Sequence, residues 1–159
     1  MAMIPPISSV GAVVVDASFL IAICSKETNT EITAIAEFDR CSQLAYKFFA
    51  PGVLFAEVLY VLCGKLANGT LSAADHIQAV IDLEQLAEGI LPPPYSEASL
   101  IQRAEAIRGG YSCRRSADGI YIALAEQLAK TQLTILLTFD KDLAKQAARH
   151  APSVIVKIL

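Results

Sequence analysis

Residues 11–24 read GAVVVDASFLIAIC. A short run of small and β-branched apolar residues, Gly11 to Val15, meets a lone carboxylate at Asp16, and an apolar segment from Ala17 to Cys24 follows. Such a run is the mark of a strand buried on both faces, as in a parallel sheet covered by helices. Asp16 then stands where the strand ends and the next helix begins. The pattern returns near the other end of the chain as TQLTILLTFDKDLAKQAA, residues 131–148. There Leu133 to Thr138 reads as a strand, and Asp140 opens a helix that runs to Arg149.

Between these two units, strand and helix signals alternate. Glu31 to Lys47 reads as a helix, and Phe48 and Phe49 belong to a short strand that ends near Pro51. Pro51 and Gly52 open a strongly helical segment to about Leu66, stopped by Asn68-Gly69. Ser72 is placed as the N-cap of a helix to Glu88, and Gly89 stops it. Ile90-Leu91, before three prolines, makes a short strand at most. Ser96 to Arg108 and Ala117 to Lys130 are further helices, and Ser153 to Leu159 is a final strand. Alternation of this kind predicts an α/β domain with a parallel sheet wrapped by helices. Ligand sites in such sheets lie beyond the carboxyl ends of the strands, so Asp16 and Asp140 are expected on one edge.

Composition sets the outer bounds. The 159 residues fit one domain, 1–159, with 54% hydrophobic and 18% charged residues, too apolar for disorder. The apolar excess predicts a covered interface between copies. A net charge of −3 gives no global field toward nucleic acid, so contacts with it need a local basic patch and a metal. Cys24, Cys41, Cys63 and Cys113 form no CxxC pair and read as small core residues in a reducing compartment. The start has no basic leader segment, and no apolar run reaches the roughly 20 residues of a membrane helix. A cytoplasmic protein with no membrane partner is expected.

The chemistry is carried by isolated acids. Asp16 is the only charge before Lys26, and Glu57 the only one between Lys47 and Lys65. Asp118 is alone between Arg115 and Glu126, as is Asp140 between Lys130 and Lys141. An ionised carboxylate withdrawn from water costs several kcal/mol, to order of magnitude, unless paired or bound to metal. Asp16 and Asp140 also fit plain helix N-caps, and Asp118 fits a helix start favoured by the macrodipole. Glu57 has no such role, since it falls mid-helix, although a glutamate can snorkel from an apolar face to water. Taken together, the four are best explained by convergence on a divalent cation. Ser18 is placed to hydrogen-bond Asp16, Thr138 to hold a phosphate or water, and Asp142 as an auxiliary acid. Arg103, Arg108, Arg114 and Arg115 before Asp118, and Lys141, Lys145 and Arg149 after Asp140, are the nearest basic clusters; phosphate contacts and a solvated charged face explain them equally.

VVVDASFLIAI, FAEVLYVL, SADGIYIALAEQL and LLTFDKDLAKQA together resemble the PIN-domain family, and within it the small VapC-like toxins. The resemblance covers nearly the whole chain. It departs at Gly119, where Ala is common, and at Phe139, where a small residue is usual. It implies a three-layer α/β fold around a five-stranded parallel sheet and a metal-dependent endoribonuclease. Asp16, Glu57, Asp118 and Asp140 would be both metal ligands and catalytic acids, with Mg2+ or Mn2+ as cofactor. RNA is then the substrate, with Arg114, Arg115, Lys141 and Lys145 as its contacts, and a cognate antitoxin and a homodimer are the expected partners. Two other readings remain open on the residues: a PIN-like module that binds RNA or protein without cutting it, and a receiver-like phosphoacceptor domain.

Overall fold

The computed structural model of the chain describes residues 10–109 and 117–159. Five strands form one parallel sheet in the order β3-β2-β1-β4-β5. They are β1 Ala12–Val15, β2 Lys47–Phe49, β3 Ile90–Leu91, β4 Thr134–Thr138 and β5 Ile155–Ile158. Among the described residues, seven α-helices flank the sheet: α1 Ala17–Cys24, α2 Thr28–Gln43, α3 Val53–Ala67, α4 Ala73–Glu88, α5 Ile101–Gly109, α6 Asp118–Ala129 and α7 Lys141–His150.

The sheet is ordered by burial. β1 lies in the middle because each of its four residues is apolar and at most 1% exposed. β3 lies at one edge and stops after two residues, since Pro92 to Pro94 follow and cannot donate to a ladder. The chain steps outward from β1 to β2 and β3, then returns on the other side with β4 and β5. The order therefore reverses between β1 and β4, where helices leave in divergent directions and a crevice opens. Val15 pairs with Leu137, which sets Asp16 and Thr138 side by side at that crevice.

Of the boundaries that differ from the sequence reading, two have a backbone cause. The second helix ends at Gln43, because Ala45 takes a left-handed φ of 57° and breaks the run before β2. The helix expected from Ser96 begins as a 3₁₀ turn at Ala98–Leu100 and becomes α-helical only at Ile101, after Ser96 at φ 78°.

Helix α6 lies hard against α5. A Cβ at Gly119 would come within 2.7 Å of the Ala104 carbonyl oxygen, so this departure from Ala answers to a close backbone approach. Cys24 and Cys41 are buried as expected, whereas Cys63 is exposed; it lies on the outer face of α3 with Leu59 and Tyr60, which are 43% and 82% exposed. Cys113 lies outside the described residues. No described helix is long and apolar enough to cross a membrane.

Candidate active site

Asp16 is the most buried of the four acids, 4% exposed. Its Oδ1 accepts from the Ser18 hydroxyl at 2.7 Å and from the Phe19 N–H at 3.2 Å. Its Oδ2 accepts from Thr138 Oγ1 at 2.6 Å. The capping role and the site role therefore coexist, one oxygen serving α1 and the other facing β4. Burial pushes the carboxyl up to about 6; the bonds from Thr138, Ser18 and Phe19 moderate that rise, and the nearby Asp140 charge adds to it.

Thr138 and Ser18 tie the strand ends together. Thr138 Oγ1 accepts from the Asp140 N–H at 2.8 Å, and Ser18 Oγ accepts from the Phe139 N–H at 2.9 Å. Asp140 caps α7, with Oδ1 accepting from Asp142 and Leu143 N–H groups at 2.7 and 3.2 Å. Asp142 joins this arrangement through its backbone N–H, and its carboxylate stands 3.7 Å from Lys145 Nζ on the exposed side of α7.

Glu57 is half-buried on α3, and its Oε2 accepts from the Tyr121 hydroxyl at 2.6 Å. Asp118 opens α6, and its Oδ2 accepts from Gln146 Nε2 at 2.8 Å. Tyr121 is 2% exposed and marks the convergence. Burial raises its ionisation far above the usual phenol range, and the charges of Glu57, Asp16 and Asp118 raise it further. The phenol is therefore a fixed neutral donor among three carboxylates from β1–α1, α3 and α6.

A contrast of partners separates these acids from others in the chain. Buried Glu37 is paired with Arg40 at 2.6 Å and Lys157 at 2.7 Å, and Glu126 with Arg103 at 2.7 Å. Among the described residues, Asp16, Glu57 and Asp140 have no Lys or Arg within ion-pair distance; hydroxyl and N–H groups serve them instead. Neutral donors orient a carboxylate and leave its charge in place for a cation. As the side chains stand, no three acidic, His or Cys residues among those described form a closed ligating group.

Two cavities meet at Glu57. One of about 550 Å³ runs past Val53, Ala104, Arg108, Gly119 and Ile120; the other, of about 370 Å³, is bounded by Ala17, Ala56, Tyr60 and Val61. Of the expected basic contacts, Arg103 is committed to Glu126 and to the His150 carbonyl oxygen, while Arg108 lines the larger cavity. Lys141 and Lys145 are exposed on α7. Arg114 and Arg115 lie outside the described residues.

Tyr121 and Gln146 escaped the sequence reading. Both had a signal. Tyr121 follows Asp118 by one helical turn in an otherwise aliphatic run, where a buried phenol needs an acceptor. Gln146 falls on the apolar face of α7 beside Leu143 and Ala147, all three buried, and a buried amide likewise needs a partner.

Known proteins give matches of two kinds. The family model for the PIN domain matches residues 13–149. A chain in the crystal structure of VapBC2 from Rickettsia felis bound to a DNA fragment from their promoter superposes with a TM-score of 0.59 at 11% sequence identity, covering 92% of this chain and 98% of that one. No curated protein matches the chain.

Proposed function

The chain belongs to the PIN domain family, and from that premise we propose that it is a metal-dependent endoribonuclease whose Asp16, Glu57, Asp118 and Asp140 hold Mg2+ or Mn2+. The observation that carries this reading is Asp16, 4% exposed and, among the described residues, held by neutral hydrogen-bond partners. A charge so placed calls for a cation, and hard carboxylate oxygens suit Mg2+ and Mn2+. What such a cation supplies is Lewis acidity toward water and phosphate.

The chain's own residues do the positioning. Ser18 and Thr138 fix both oxygens of Asp16 and bring Asp140 to the same strand end. Arg108, Lys141 and Lys145 supply positive charge for the phosphates of an RNA strand beside the acids, with Arg114 and Arg115 added from sequence. Hydrolysis in this arrangement leaves a 5′-phosphate and a 3′-hydroxyl, and no side-chain nucleophile is required. Within the family the reading is a VapC-like toxin acting in the cytoplasm, with a small antitoxin as partner. The apolar outer face of α3, with Leu59 and Tyr60, is offered as the homodimer contact.

Incubation of the purified protein with single-stranded RNA tests the reading. Cleavage that needs Mg2+ or Mn2+, stops with EDTA and disappears in folded Asp118→Asn supports it. Undiminished cleavage by that variant sinks it. The open arrangement of the acids favours one second reading, a PIN-fold module that binds RNA or protein without cutting; RNA retention with no product under any divalent cation would establish that instead.

A further inference from the structure

We propose that Tyr121 is a positioning residue that orients Glu57 toward binding through one oxygen and thereby favours a small octahedral cation over Ca2+. The inference rests on the cation reading above and goes beyond it to the choice of ion. Four observations carry it. The Tyr121 hydroxyl and Glu57 Oε2 are 2.6 Å apart, a short contact of the charge-assisted kind. The phenol is 2% exposed, so water does not compete for it. Glu57 lies at the mouth of two cavities, and no Lys or Arg among the described residues pairs with it. Tyr121 lies one turn after Asp118 on α6, which fixes the phenol and the third acid on one rigid element.

The consequence follows from coordination chemistry. With one lone-pair site of Oε2 taken by the phenol, the carboxylate is held in one orientation and Oε1 is its freer oxygen. Mg2+ takes near-ideal octahedral sites built from single oxygens and retained water, and Mn2+ also suits octahedral oxygen sites. Ca2+ is larger, takes more ligands and often uses a carboxylate through both oxygens. A glutamate whose second oxygen is already shared with a phenol disfavours the two-oxygen grip of Ca2+ more than the single-oxygen contact that suits Mn2+. A lysine in place of Tyr121 would hold Glu57 as firmly but would cancel its charge; a phenol holds it and cancels nothing.

The test is the melting temperature of metal-stripped protein titrated separately with Mn2+ and Ca2+, in wild type and in Tyr121→Phe, which removes one oxygen and keeps the ring. Wild type is expected to bind Mn2+ more tightly than Ca2+. In Tyr121→Phe the Mn2+ affinity should fall about tenfold, as for other residues that orient a metal ligand, while Ca2+ affinity holds or rises, so the preference closes. A merely structural role would lower the melting temperature without cation and leave the Mn2+/Ca2+ ratio unchanged; that result overturns the proposal. Should Tyr121→Phe fail to fold, Tyr121→Met, which also lacks the hydroxyl and leaves Glu57 intact, carries the same expectation for the ratio. A wild type that responds to neither ion removes the cation reading itself, whereas a wild type that prefers Mn2+ with the preference intact in the variant removes only the role of Tyr121.

Discussion

Thr138 Oγ1 and Asp16 Oδ2, 122 residues apart in sequence, lie 2.6 Å from each other at the carboxyl ends of neighbouring strands. The same hydroxyl accepts the Asp140 N–H. One side chain therefore fixes the relation between the first and last acids of the site. Thr138→Val keeps the shape and deletes the bond, leaving Asp16 Oδ2 buried without its donor. Such a loss costs about 1–3 kcal/mol and should lower both the melting temperature and the response to Mn2+. Thr138→Ser should restore most of both, and paired thermal melts check it.

Asp16 makes stability depend on pH in the metal-free protein. Its folded value is about 6 against 3.8 for an ordinary aspartate, so the folded state binds the proton more tightly than the unfolded one. The sign follows from linkage: this contribution is fully present below about pH 4 and is lost as pH rises through about 6. Melts in EDTA across that window should show a slope that Asp16→Asn flattens. Cation binding must displace the same proton, so Mn2+ affinity should weaken as pH falls below about 6.

Glu37 provides the opposite case away from the site. The Arg40 hydrogen bond, with Lys157 adding to it, holds its carboxyl down to about 2 against burial, from the 4.5 of an ordinary glutamate. Stability from this clamp between α2 and β5 is present above about pH 4.5 and is lost as pH falls toward 2. Glu37→Gln should destabilise by about 2 kcal/mol at neutral pH, in line with hydrogen bonds to charged groups, and should leave the Mn2+ response unchanged. A chemical denaturation series with and without Mn2+ separates the two effects.

Gly119 places α6, and with it Asp118. Gly119→Ala would set a methyl group 2.7 Å from the Ala104 carbonyl oxygen, and backbone cannot yield as a flexible side chain can. The expected cost is about 1–3 kcal/mol, with a weaker cation response because the third acid shifts with its helix. An unchanged melting temperature would show that α5 and α6 separate freely.

Much of this arrangement was legible in the sequence because it follows local rules. GAVVV before Asp16 and LTILLT before Asp140 announce buried parallel strands and fix both acids to one sheet edge. Ser72 caps its helix as expected, accepting the Asp75 N–H, and Asn68-Gly69 ends α3. The bonds across the fold were less legible. Nothing near Glu57 in sequence points to Tyr121, 64 residues on, nor does Asp118 announce Gln146. Arg103 read as a candidate phosphate contact because its partner Glu126 lies on another helix. Cys63 read as core because α3 is apolar nearly all round, and periodicity then does not say which side faces water.

The central claim is that four carboxylates from separate elements form one cation centre. Melting of metal-stripped protein with millimolar Mn2+, beside Asp118→Asn, tests it most directly without knowledge of the RNA. At a concentration near 100 times Kd, binding to the folded state alone stabilises by about 2.7 kcal/mol, which for a chain of this size raises the melting temperature by about 5–10 °C. The account predicts that rise in the wild type and its loss in Asp118→Asn. Equal melting temperatures with and without Mn2+ in the wild type would contradict it.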